Sequence, residues 1–323
     1  MHKVILPIAA LLAGCQFTYA LPVHAQASAA QAAGRTRPSP LAPSEIVAAA
    51  PKRDWTAIPT SDLLVIDLAP DAKGKPRRVV FQLMPLPFSQ GWIGNIRKLA
   101  AAHWWDGLSI NRVQDNYVVQ WGDGNAEDPK RARALPAGLA VVPESEYLSK
   151  PLQYRMAPAF QVNLGSDAYA KTNWFDHGWP VGSEGGTVWP VHCYGMVGVG
   201  RDLSPNTGSG AELYVVIGHA PRHLDRNIAL VGRVIEGIEH LSSLPRGTGG
   251  LGFYETPEER TGIAAIRLGG EVAGLPAYEY LSTESQSFAR YADARANRRD
   301  AFFIRPAEGA DICNIPVPVR RAK

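Results

Sequence analysis

The stretch Ser109-Ile110-Asn111-Arg112-Val113-Gln114-Asp115-Asn116-Tyr117-Val118-Val119-Gln120-Trp121-Gly122-Asp123 reads as two short β-strands around a polar turn. Val, Ile, Tyr and Trp fill both arms, and Gln114-Asp115-Asn116 supplies residues that bend the backbone back on itself. Folded this way, the hairpin brings Arg112 and Gln120 together across the strand pair. Taken alone, an arginine on a strand is most simply a surface ion-pair partner, so its meaning depends on what surrounds it.

Upstream, Leu63–Leu68, the polar Asp71–Lys75 turn and Val79–Leu83 form a second hairpin. Ser89 is placed to cap a helix over 91–103, where Trp92, Ile93, Ile96, Leu99 and Ala100 make one apolar stripe at helical spacing. Downstream, short apolar runs at 212–217, 229–235 and 262–268 read as strands, and a short helix over 236–244 is ended by Pro245 and Gly247. Strands outnumber helices, which predicts a mainly β fold, an antiparallel barrel or sandwich.

The chain has 323 residues, 46% hydrophobic and 20% charged, enough to bury a core. With 26 Pro and 31 Gly, a helical bundle is excluded. Its 33 basic and 30 acidic residues balance to +3 with no basic stripe, which argues against a nucleic-acid partner. His2 and Lys3 followed by the apolar Val4–Ala13 run resemble a signal peptide, too short to span a membrane. Two processing sites compete: Val23-His24-Ala25, which would release a periplasmic protein, and Leu12-Ala13-Gly14-Cys15, which would leave a lipid anchor on Cys15. Residues 26–55, rich in Ala, Ser and Pro, read as a flexible linker. Once Cys15 is removed, Cys193 and Cys313 are the remaining pair, either a disulfide in an oxidising compartment or two buried thiols.

The Ser109–Asp123 hairpin resembles the cyclophilin signature, in which a Phe-His-Arg strand is followed through a turn by Phe, Met, Gln and a Gly-Asp end. Arg112, Gln120, Gly122 and Asp123 match it. A second block agrees in order: Pro205-Asn206-Thr207, the strand Glu212-Leu213-Tyr214-Val215, His223-Leu224-Asp225, and Val231-Gly232-Arg233 through Gly237. The resemblance runs from about residue 63 to 268. It implies an eight-stranded antiparallel barrel capped by two α-helices, occupying residues 56–275, and peptidyl-prolyl cis-trans isomerase activity on proline-containing polypeptides, with no cofactor or metal. Arg112 and Gln120 would be the catalytic pair, Arg112 donating to the twisted amide and Gln120 orienting it. Tyr117, Val118, Tyr214 and Leu224 would floor the proline pocket, with Val197, Gly198, Glu212 and His223 completing the peptide site.

Several positions depart from the family. Tyr117 and Tyr214 stand for phenylalanines, Val118 for methionine, Asn111 for histidine, Glu212 for glutamine, His223 for tryptophan and Ile228 for histidine. These rim changes keep a second reading open, a cyclophilin-like binding module that holds peptides as a chaperone without turnover. His219, His223 and His240 lack metal-ligand spacing. Gly247–Gly252 fits a dinucleotide glycine pattern but follows a helix instead of a strand. Residues 124–187 exceed the family length and read as an insertion whose Trp174, Trp179 and Trp189 form either a satellite core or a protein-contact surface. Beyond residue 276 lies a C-terminal extension packed on the barrel, with a helical stripe at Phe288, Tyr291 and Ala292, a strand at Phe302–Ile304, and Arg290, Arg295, Arg298 and Arg299 on its wet face. The sequence leaves the oligomeric state open, with a monomer favoured.

Overall fold

A computed structural model describes residues 40–150 and 162–322. The signal segment, Ala25 and Cys15 lie outside them. In chain order the elements are α1 (Pro43–Ala48), β1 (Trp55–Ile58), β2 (Leu63–Leu68), β3 (Arg77–Leu83), α2 (Gln90–Ala101), β4 (Ser109–Val113) and β5 (Val118–Gly122). Then come β6 (Asn163–Gly165), β7 (Thr172–Asp176), β8 (Trp179–Glu184), β9 (Thr187–Pro190), β10 (Met196–Val199), β11 (Leu213–Val216) and β12 (Leu230–Glu236). The chain finishes with α3 (Glu239–Ser242), β13 (Thr261–Leu268), β14 (Tyr278–Leu281), α4 (Gln286–Ala296) and β15 (Val319–Arg321). Among the described residues no helix is long and apolar enough to cross a membrane.

Eight strands close into the expected antiparallel barrel in the order β10-β11-β5-β4-β13-β2-β3-β12. Strand β2 is apolar at nearly every position because both its faces are covered. Leu64 and Ile66 point with Val79, Phe81 and Leu83 into the barrel core. Leu63, Val65 and Val80 face outward and pack against Ile58, Tyr278 and Tyr280 of the three-stranded sheet β1-β14-β15. Each such side chain contributes roughly 1.5–3 kcal/mol on leaving water, so a sheet with two apolar faces requires this second layer. Helix α2 buries the predicted Trp92, Ile93, Ile96, Leu99 and Ala100 stripe. Its start differs from expectation: Ser89 sits at φ 55° in the left-handed region and its side chain caps nothing.

The insertion is more ordered than a loop. Strands β6-β7-β8-β9 form a four-stranded sheet, and Trp174 and Trp179 belong to the same continuous core as the barrel, with Trp189 fully buried. Arg233 of β12 ties the two together. It donates to Gln82 Oε1 at 2.9 and 2.7 Å and to the Gly178 carbonyl at 2.7 Å, and it stacks on Trp179 at 4.6 Å. Burial pulls its pKa down to about 10, the cost of holding that guanidinium inside.

The extension returns to the molecule through β14, α4 and β15, and Cys313 is disulfide-bonded to Cys193 across 120 residues. In the chain-entropy account, closing a loop of that length stabilises by about 4 to 5 kcal/mol. The helical stripe is as predicted, with Phe288, Tyr291 and Ala292 buried. Two expectations fail. Residues 302–304 are exposed and irregular, not a strand, because no strand among the described residues pairs with them. The proposed linker ends early: α1 forms at 43–48, buries Ile46 and packs on α4.

Candidate active site

The hairpin β4-β5 pairs Arg112 directly with Gln120, and β11 lies on its far side with Tyr214 opposite Gln120. Three adjacent strands therefore present an arginine, an amide and an aromatic ring to one cleft of about 780 Å³. Arg112 Nη1 donates to Gln120 Oε1 at 3.2 Å, Nε to the Leu251 carbonyl at 2.8 Å, and Nη2 to Gln114. The guanidinium also lies over the rings of Phe253 at 5.2 Å and Tyr117 at 5.7 Å. A guanidinium has five N–H groups, so two remain without a partner among the described residues. Desolvation lowers the Arg112 pKa, yet an arginine stays charged at any physiological pH.

Beside it, Val118, Tyr214 and Val216 form a buried apolar cluster with Tyr117 and Ile228 packed against it. Tyr117, Val118, Tyr214, Leu224 and Glu212 all line the cleft, as the sequence suggests. The other three expected residues do not. Val197 is 4% exposed and its side chain belongs to the barrel core. Gly198 lies under the floor, where a Cβ would come within 2.2 Å of Tyr214 Cζ; it makes room for the ring. His223 is exposed on the rim and lies parallel to Tyr117 at 6.4 Å between ring centres.

Glu212 accepts the Asp123 backbone N–H at 2.8 Å. Burial pushes its pKa up to about 7, so near neutrality it is part carboxylic acid and can then donate a hydrogen bond as the family's amide does. Asp123 closes a turn with its own oxygens, which accept the Asn125 and Arg133 backbone N–H groups.

Features that the sequence did not signal complete the site. The Gly247–Gly252 loop brings the Leu251 carbonyl, and with it the adjoining Phe253 ring, onto Arg112. Gly252 is needed there, since its φ is +79° and a Cβ would meet Gln114 Cα at 2.6 Å. Behind the floor, the Tyr214 hydroxyl meets His192 Nε2 at 2.9 Å and His192 Nδ1 meets Asp225 Oδ1 at 2.8 Å. With the ring neutral, the carboxylate assigns the proton to Nδ1 and leaves Nε2 to accept the phenol proton. Asp225 in turn binds Arg222 at 2.6 Å, and Arg222 reaches Asp167 at 2.8 Å and Asn173 of β7 at 3.3 Å. Burial, chiefly, lifts the Tyr214 pKa well above its ordinary value, so it serves as a neutral ring.

A barrel with an arginine–amide pair beside an aromatic-floored cleft defines a class, and comparison with known proteins agrees. Residues 91–267, more than half of the chain, match the family described as cyclophilin type peptidyl-prolyl cis-trans isomerase/CLD. The chain belongs to that family, and its enzyme class is peptidyl-prolyl cis-trans isomerase. Among solved structures, the cyclophilin AquaCyp293 from Hirschia baltica superposes with a TM-score of 0.61 at 20% identity, covering 83% of this chain and 94% of that one. That likeness concerns the fold and extends beyond the family domain. A cyclophilin-type isomerase from Cryptosporidium parvum gives a TM-score of 0.39 at 12% identity over 64% of this chain and 96% of its own. No curated protein matches the chain.

Proposed function

We propose that the protein turns X-Pro bonds of exported polypeptides by stabilising the twisted amide with Arg112. The observation that carries this is the Arg112 fork, fixed by three acceptors and left with two unused N–H groups beside an apolar floor. Rotating an X-Pro bond uncatalysed takes about 10 to 100 s over a barrier of about 20 kcal/mol, because amide resonance is lost. Twisting localises a lone pair on the proline nitrogen. A fixed cationic donor bonds that lone pair and gains little from the planar amide, which is the differential binding that catalysis requires. Val118, Tyr214, Leu224 and Tyr117 would hold the proline ring while the residue before it rotates. Gln120 acts by holding Arg112 in register.

Export rests on the Val4–Ala13 segment, and a disulfide between Cys193 and Cys313 suits an oxidising compartment such as the periplasm. The clients would then be proline-containing envelope proteins during folding. The altered rim at Glu212, His223 and Ile228 favours the second reading, a chaperone that binds without turnover. Exchange NMR on an X-Pro peptide with the mature protein separates the two: catalysed cis/trans exchange supports the enzyme, and binding with uncatalysed exchange supports the chaperone. Intact-mass analysis of the exported protein fixes its start after Ala25 or at a lipidated Cys15.

A further inference from the structure

The cleft is lined by four arginines, Arg112, Arg133, Arg201 and Arg260, and none of them forms an ion pair with a described carboxylate. Elsewhere this chain pairs its arginines freely, as in Arg222 with Asp225 or Arg267 with Asp106. Three of the four cleft arginines have neutral acceptors: Arg133 holds the Trp104 and Asp106 carbonyls, Arg201 the Asn227 and Asp202 carbonyls, and Arg112 the groups given above. Arg260 differs. Its side chain makes no hydrogen bond or ion pair to any described residue, and its Nε is buried without a partner. Its Nη1 lies so close over Gly124 that a Cβ there would stand 2.3 Å away, so a glycine keeps the guanidinium's place open.

The carboxylates that could neutralise this end of the cleft are otherwise engaged or turned to water. Both Asp123 oxygens accept backbone N–H groups, and Glu212 accepts one from Asp123. Glu127 and Asp202 also line the cleft and are exposed. Arg260 lines the cleft and is only part-buried, so what a ligand entering the cleft meets there is an unpaired guanidinium charge. A planar fork is matched best by a carboxylate, which can take two parallel hydrogen bonds.

We propose that Arg260 forms an acidic-residue subsite, so that the cleft prefers X-Pro sequences carrying an Asp or Glu within a few residues of the proline. This rests on the peptide-binding reading of the cleft, but it assigns a substrate class that the Arg112 chemistry does not. The preference comes from desolvated charge pairing at the cleft wall and weakens with added salt.

The test is a set of matched X-Pro peptides, with Glu or Gln at each of the three positions on either side of the proline, measured by NMR titration for Kd and by exchange NMR for turnover. Wild type is expected to favour Glu over Gln by about tenfold at one position, the size of one charge-assisted hydrogen bond. In Arg260→Gln that ratio should fall to near one; because it compares Glu and Gln peptides on the same variant, any general change in affinity cancels. Arg260→Lys, which keeps the charge and loses the fork, should retain part of the preference. Equal affinity for Glu and Gln peptides at every position, or a Glu preference that survives Arg260→Gln in the folded variant, overturns the proposal. Because Kd is read apart from turnover, a silent enzyme that still selects Glu would sink the isomerase mechanism and leave the subsite standing.

Discussion

Arg112 in the cleft and Arg222 behind its floor are both drawn out of water, and the chain treats them in opposite ways. Arg222 is 3% exposed and sits among Asp225, Asp167 and Asn173, so its charge is spent inside the protein. Arg112 hydrogen-bonds only to carbonyl and amide oxygens and keeps two donors unused among the described residues. Burial lowers the Arg112 pKa, whereas at Arg222 burial also works to lower it but the neighbouring Asp225 and Asp167 carboxylates outweigh this and raise it. A paired guanidinium is a post that ties β7 and the floor together; an unpaired one is available to a substrate. The disulfide lies next to the Arg222 network, since Cys193 follows His192, so the extension and the insertion both brace the back of the floor.

Damage behind the floor should register as lost stability and damage in the cleft as lost rate. Arg222→Ala leaves Asp225 buried beside His192 without its cation, and should cost about 3 to 5 kcal/mol. Denaturant titration checks this, and an unchanged midpoint would break the idea that Arg222 is a post. Tyr214→Phe keeps the ring and removes the hydroxyl that His192 accepts, so stability should drop by about 1 to 3 kcal/mol. The isomerisation rate should change by less than about threefold, because the proline needs the ring face; a tenfold loss of rate at unchanged stability would move the hydroxyl into the chemistry.

The smallest effect expected is a pH trend. Glu212, with its pKa raised to about 7, keeps in the folded protein a proton that the unfolded chain releases near pH 4.3. The folded state therefore binds more protons across this window, and its contribution to stability falls as pH rises from about 4.3 to about 7, then levels off. Glu212→Gln should flatten that fall, so its melting temperature should gain on wild type between pH 5 and pH 8. A constant difference at both values would show that Glu212 carries no such proton.

What the sequence made legible follows physical range. Hairpins such as β2-β3 and β4-β5 join neighbours through local turns, so their strands and the Arg112–Gln120 pairing could be read directly. The insertion's attachment could not, because Arg233 finds its acceptor at Gly178, 55 residues away, through a backbone carbonyl that no side-chain pattern marks. Helix α1 was hidden in an Ala-rich stretch since the burial of Ile46 depends on α4, far along the chain. Phe302, Phe303 and Ile304 misled in the other direction, having strand propensity with no strand to pair with. In the cleft, Arg112, Tyr117, Val118 and Gln120 of the β4-β5 hairpin lie together on one wall. The His192 relay and Arg260 were missed because each gains its meaning only from groups brought near by the fold.

The central claim is that Arg112 supplies the donor that lowers the rotation barrier. The most direct test is exchange NMR on one X-Pro peptide with wild type and Arg112→Ala, at matched occupancy and with the fold of each verified by its amide spectrum. Arg112→Ala should lose rate by a factor of about 10² to 10³, the usual effect of removing one preorganised donor. A folded Arg112→Ala protein that exchanges the peptide at the wild-type rate would contradict it.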